Sequence, residues 1–246
     1  MAELGYDGVP VRVRDDLVDA HRRAWQRLAR PGTWWTGAER VGIAAEVRAA
    51  WTCALCARRK EALSPSHADG EHDQASALPA AAVEVVHRVV TDPGRLSKPW
   101  FDELIATGLS EGHYVELIGV TVTVVSIDRF CRGLGAPLHP LPEPQSGEPS
   151  RYRPATAVSD GAWVPMIPQR NVSGAEAGLY GELPRTGNVI RAMSLVPDEV
   201  RQLRALGAVH YLSERQMIDL TAGRTIDRAQ IELIAGRVSS RRECFY

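Results

Sequence analysis

The chain has 246 residues, 44% of them hydrophobic and 24% charged, with a formal net charge of -1. That is enough apolar material for one large core or two small ones, and it excludes a fibre and a wholly disordered polymer. Basic and acidic residues are interleaved along the chain and not gathered on one face, so neither a nucleic-acid partner nor an anionic membrane is expected.

The opening "MAELGYDGVPVRVRDD" has no cationic stretch followed by an apolar one. The most apolar window, Leu117 to Ile127, falls far short of the roughly 20 residues a spanning helix needs. A cytoplasmic location is the expectation. Four cysteines in a chain of this length do not make a secreted disulfide scaffold. The pair Cys53-x-x-Cys56 therefore reads as redox-active or metal-binding before it reads as a structural bridge.

In chain order, Asp15 to Ala29 places Leu17, Val18, Ala24, Trp25 and Leu28 at helical spacing and stops at Pro31-Gly32, which predicts a first helix. Thr36 with Glu39 has capping-box spacing. The run from there to Leu63 predicts one long helix, or two with a break near Thr52, with the cysteines on or beside it. Ser64 to Ser76 is a polar loop. Pro79 then opens a short helix that Asp92-Pro93-Gly94 stops.

"KPWFDELIATG" predicts a further helix, and so does the segment from Ser110 to Gly135. The latter is rich in Val and Thr, but its length, the Ser110 cap and the terminal Gly133 and Gly135 favour helix over strand. Ala136 to Arg170 is dense in Pro, Gly and Ser and predicts a long loop. Helical pattern resumes in "VPDEVRQLRALGAVHYL" and "RTIDRAQIELIAGRVSSRRECFY". The expected fold class is all-α, with a first helical half over 1–135, a connecting excursion over 136–190 and a second, shorter half over 191–246.

Laying Ala38–Cys53 on Ala229–Cys244 without a gap pairs Ala38 with Ala229, Ile43 with Ile234, Ala44 with Ala235, Val47 with Val238 and Cys53 with Cys244. An internal duplication follows as an expectation. A helix running into Cys-x-x-Cys, with "AERVGIAAEVRAAWTCALC" in one half and "RAQIELIAGRVSSRRECFY" in the other, resembles the alkylhydroperoxidase D and carboxymuconolactone decarboxylase superfamily, in its duplicated, peroxidase-related branch. The resemblance implies an alkylhydroperoxidase-like helical bundle, homo-oligomeric, using two thiols to reduce a peroxide and an external dithiol to restore them, with no prosthetic group and no metal. It gives Cys56 the attacking role and Cys53 the resolving one. The family pattern also has a glutamate twelve residues before the first cysteine and a histidine four after the second; here these are Val41 and Lys60, so that proton relay does not carry over.

A thiol attacks only as thiolate, which needs a nearby cation or base. On a helix, Arg59 and Lys60 fall on the face of Cys56 and supply charge, Lys60 replacing the family histidine electrostatically but not as a proton shuttle at neutral pH. Candidate bases are Glu46, two turns before Cys53 on the same face, and His113, which shares a face with Glu116. Each has a plainer structural reading: Glu46 as a solvated helix residue, His113 as a capping histidine, Glu116 as an ion-pair partner. The thiols themselves stand open between redox function, inert burial and metal binding. A zinc site requires a second pair of ligands, and His67 with His72 has acceptable spacing, although solvated loop histidines are the simpler account. Cys131 reads as core, and Trp34, Trp35, Trp51 and Trp100 as core or interface anchors or as the wall of a substrate pocket.

The function expected is thus a thiol peroxidase. A non-catalytic helical scaffold is the alternative, and a lyase acting on lactones is disfavoured because it needs positioned acid–base groups and not a thiol pair. The last residue, Tyr246, stands one position before the counterpart of Cys56 in the second copy. Two readings of that point stand open, a true terminus in a degenerate repeat and a UGA codon read as selenocysteine, and the genomic sequence decides between them.

Overall fold

The computed structural model describes residues 4–170, 172–181 and 185–241; Cys244 and Tyr246, on which the second Cys-x-x-Cys depends, lie outside them. The molecule is an all-α bundle. Among the described residues there is no β-strand, only an isolated antiparallel bridge between Val158 and Met166. The chain forms two compact units, dividing after Leu206.

In the first unit, α1 (Asp15–Ala29), α2 (Gly37–Ala49), α3 (Ala54–Glu61), α4 (Ala80–Thr91), α5 (Lys98–Ala106) and α6 (Glu111–Leu134) follow the sequence signals. Thr36 and Glu39 form a reciprocal capping box at the head of α2, satisfying amides that a helix start leaves unpaired. Ser97 and Ser110 cap α5 and α6, and Gly135 ends α6 in the left-handed conformation at φ 70°. The long run through the cysteines is two helices. α2 stops at Ala49, a turn spans Ala50–Thr52, and Cys53 becomes the N-cap residue of α3.

The centre of the bundle is α2 packed against α1, α4 and α6, with α4 on α6 and α3 on α4. Ile43, Ala44 and Val47 of α2, Val85 and Val86 of α4, and Leu117, Val120 and Val124 of α6 close this core. Burying each such side chain contributes about 1.5–3 kcal/mol. Arg40, Glu116 and Glu199 are buried with them, and Arg27 is part-buried beside them. Arg40 bonds Glu116, and Arg27 donates to Glu199 at 2.6 Å, so that α1, α2, α6 and α8 (Pro197–His210) are tied by one ionic network. Glu116 also accepts the Trp34 amide at 2.5 Å, and burial followed by the nearby Glu199 holds its carboxyl above the ordinary range in spite of Arg40.

The Pro-rich stretch forms no helix before the single turn at Gly174–Glu176, yet it is fixed against the bundle. Its amides at Gln145, Ser150 and Arg151 donate to the carbonyls of Ala29, Gly32 and Thr33, and its carbonyls at His139 and Pro140 accept from Arg48 and Trp25. Gly37 is required beneath it, because a Cβ there would lie 2.4–2.5 Å from the Ala29 and Gln145 carbonyl oxygens. Further on, Val164, Ile167, Leu179, Tyr180, Leu195 and Val196 make a second core with Phe101 and Val115, beside the short α7 (Asn188–Arg191). The second unit holds α9 (Glu214–Ile218), capped by a Ser213–Gln216 box, and α10 (Arg228–Arg241). Arg228 ties the two by donating to the Gln216 carbonyl at 2.7 Å. Where α2 buries Ile43 and Val47 completely, the matched residues of α10, Ile234 and Val238, are 55% and 56% exposed.

Candidate functional site

Two thiols and two imidazoles meet at the corner where α2 gives way to α3. Cys53 and Cys56 sit one turn apart at the head of α3, and both are free and buried, at 2% and 3% exposure. The polar loop 62–79 is folded back over them. Asp73 accepts the first amide of α3, at Ala54, at 2.8 Å; Arg58 and Arg59 hold the carbonyls of Asp69 and Ala68. This brings His72 Nδ1 to 3.5 Å from each sulfur. α4 presents His87, whose Nδ1 is 3.3 Å from Cys56 Sγ. The two sulfurs and one ring nitrogen from each histidine all lie within 4.8 Å of one another.

Each imidazole is oriented by its own carboxylate. Glu46 of α2 accepts from His87 Nε2 at 3.0 Å, and its other oxygen accepts from the Ala75 amide and the Ser76 hydroxyl at 2.8 and 2.6 Å. Glu84 of α4 accepts from His72 Nε2 at 2.8 Å, from Arg59 at 2.6 Å and from the Trp100 indole at 3.2 Å. On a neutral ring, a proton held on Nε2 by a carboxylate leaves the Nδ1 lone pair free to face sulfur; a cationic ring donates to sulfur from Nδ1 as well.

The electrostatics follow from these contacts. Burial opposes the Cys53 thiolate, but the facing Cys56 and Asp73 amides and the His72 ring outweigh it and lower the Cys53 pKa. Burial works against the His72 cation too, and its bonds to the sulfurs and to Glu84 reverse the balance, raising it to about 10. Glu84 is held down at about 2, its burial overcome by His72 and Arg59. His87 goes the other way: burial pushes it below its ordinary value, with Glu46 resisting. The corner thus holds one cationic and one neutral imidazole over a pair of thiols, an arrangement suited to redox chemistry.

Of the residues singled out from sequence, Cys53, Cys56 and Glu46 are brought together here, Glu46 acting through His87. Glu46 is fully buried, so its solvated reading is corrected. Lys60 is exposed near the end of α3. His113 caps α6 with Ser110, lies 3.2 Å from Arg151 and packs on the Trp34 and Trp35 rings; it is not among the groups bonded to the sulfurs. Glu116 is an ion-pair partner, and Cys131 is core beside the Tyr6 hydroxyl. The candidate pair His67 and His72 is not brought together: His67 is exposed, as its solvated reading has it, whereas that reading is corrected for His72, which packs on His87 with ring centroids 4.2 Å apart. His87 was missed because it sits mid-helix in a run of Val and Ala. The available signal was Glu84 and His87 at i, i+3 in that apolar run, a polar pair on one face of a helix otherwise built for burial.

Comparison with protein-family models, with curated proteins and with solved structures returns no match to this chain. No helix among the described residues is long and apolar enough to cross a membrane.

Proposed function

We propose that the protein is a thiol peroxidase that reduces a hydroperoxide through Cys56 and Cys53, as in the alkylhydroperoxidase-like family it resembles. The observation that carries this is the line Cys56 Sγ, His87, Glu46, with separations of 3.3 and 3.0 Å. It has the form of a nucleophile, a base and a group that orients the base. His87 takes the Cys56 proton at Nδ1 while Nε2 stays on Glu46. The thiolate attacks the nearer peroxide oxygen, the O–O bond breaks, and His87 returns the proton to the departing alkoxide. Cys56 is then a sulfenic acid. The Cys53 thiolate attacks that sulfur and expels hydroxide, which leaves as water after taking a proton. The product is an alcohol, water and a Cys53–Cys56 disulfide, which an external dithiol reduces by exchange.

The relay serves in place of the one the family pattern lacks here, with His87 arriving from α4 and not from the turn after Cys56. The test is dithiol-dependent consumption of a small alkyl hydroperoxide by metal-free wild type and by Cys56→Ser. Turnover in wild type that vanishes in Cys56→Ser supports the reading. Equal, negligible rates in both leave the helical-scaffold alternative in its place.

A further inference from the structure

A thiol peroxidase needs one imidazole at its nucleophile, and this corner has two, each with a dedicated carboxylate. The second one, His72, approaches both sulfurs at once at 3.5 Å from the loop between α3 and α4. We propose that the reduced site binds one zinc ion in a tetrahedral set of Cys53 Sγ, Cys56 Sγ, His72 Nδ1 and His87 Nδ1, and that peroxide oxidation of the thiols releases it. The binding step stands on the geometry alone, whereas the release step rests on the thiol-peroxidase reading.

Zinc with Zn–S of about 2.3 Å and Zn–N of about 2.1 Å at tetrahedral angles separates sulfur from nitrogen by about 3.6 Å. Three of the four sulfur–nitrogen separations are 3.5, 3.5 and 3.3 Å, and the fourth, Cys53 to His87, falls within the 4.8 Å that spans all four donors. The donors are thiolate and imidazole without carboxylate oxygen, which selects zinc over magnesium or calcium. The outer contacts match as well. A histidine that binds metal through one nitrogen gives its other N–H to a carboxylate, which fixes the tautomer and the ring plane. Both rings do so, His72 to Glu84 at 2.8 Å and His87 to Glu46 at 3.0 Å. Two thiolates neutralise the ion, so a neutral unit is buried, which removes the main cost of placing charge in a core. The ligands come from the head of α3, from α4 and from the loop between them, so the site needs none of the strand and turn framework of a small zinc finger.

Release is balanced as follows. The two zinc-bound thiolates give two electrons to the peroxide O–O bond. With two protons from solvent, the products are a Cys53–Cys56 disulfide, alcohol, water and free zinc ion. A disulfide sulfur is a poor ligand, so the set falls to two histidines.

Metal-stripped, reduced protein is titrated anaerobically with cobalt(II), then with zinc. The expected result is one equivalent of cobalt with intense visible bands of a tetrahedral site and sulfur-to-metal charge transfer, lost when zinc displaces it. Zinc protects Cys53 and Cys56 from alkylation in peptide maps, and hydroperoxide then frees one zinc per chain, read with a chromogenic chelator, as two thiols disappear. Glu84→Ala, which keeps all four ligands, weakens binding about 10- to 100-fold, with circular dichroism confirming the fold. A weak octahedral spectrum, or thiols alkylated equally with and without zinc, overturns the metal site. Tetrahedral cobalt in a protein whose metal-free form turns over no peroxide overturns the peroxidase reading and the release step, and leaves the site standing. Turnover without a tetrahedral spectrum does the reverse.

Discussion

Glu46 on α2 and His87 on α4 are 41 residues apart in sequence and joined by a 3.0 Å hydrogen bond in which neither side chain is exposed to solvent. That bond connects the helix before the cysteines to the helix after them, and it fixes which ring nitrogen faces Cys56.

The first prediction concerns this pair. His87→Asn removes the base and lowers kcat/KM for peroxide by about 10²- to 10⁴-fold. Glu46→Gln keeps the packing but weakens the orientation of the ring, so a smaller loss is expected, with a changed pH profile. Stopped-flow peroxide consumption on both variants checks the order of the two effects.

Cys53→Ser separates attack from resolution. With no second thiol to close the disulfide, Cys56 accumulates as sulfenic acid after one turnover, and a dimedone adduct appears on the peptide that holds Cys56. The same treatment of Cys56→Ser gives no adduct on Cys53. Adduct at Cys53 instead would exchange the two roles.

A third prediction addresses stability away from the thiols. Arg40 and Glu116 are 1% and 0% exposed. Glu116→Ala strands the Arg40 charge in the core, beside Glu199 as its remaining partner, and leaves the Trp34 amide without its acceptor. A loss of about 3–5 kcal/mol is expected from urea unfolding.

Glu84 gives the pH dependence an acid limb and Tyr114 an alkaline one, the latter above the range in which His72, raised from 6.5 to about 10, loses its own contribution. Glu84 has a folded pKa near 2 against an ordinary 4.5, so its contribution is complete above about pH 4.5 and disappears as pH falls through 2. Burial raises Tyr114 from 10 to about 12, so the neutral phenol's contribution is complete below pH 10 and is lost as pH rises through 12. Thermal melts of metal-free reduced protein, with Glu84→Gln and Tyr114→Phe as controls, check each limb: the first variant flattens the acid side and the second the alkaline side.

Much of the fold was legible because its signals are local. The Thr36–Glu39 box, the Ser110 cap and the Gly135 stop each depend on residues a few positions apart, and each is found where spacing puts it, while the break beside Thr52 was one of two readings the sequence left open. The site was legible only in part for the same reason. Cys53, Cys56 and Glu46 lie on adjoining stretches of chain. His72 reaches them through a loop held by Arg58, Arg59 and Asp73, and His87 through packing of α4 on α2 and α3. No periodicity records such long-range closures. The Pro-rich excursion was recognised as irregular, but its attachment to α1 and to the turn before α2 depends on backbone groups, which carry no residue code.

That attachment has a consequence for how the protein breathes. A segment without helix or strand ordinarily exchanges its amide hydrogens with solvent almost freely. Here Gln145, Ser150 and Arg151 spend theirs on the carbonyls of Ala29, Gly32 and Thr33, and the prolines around them have no amide to exchange. Deuterium should therefore enter this stretch in an uneven pattern, slowly at Gln145 and at the adjacent Ser150 and Arg151 and quickly at the other amides around them. Those three should open together, because they share one short piece of α1 and its exit turn. The strap is then a gauge of whether the end of α1 and the start of α2 are seated, readable from a part of the chain that has no secondary structure.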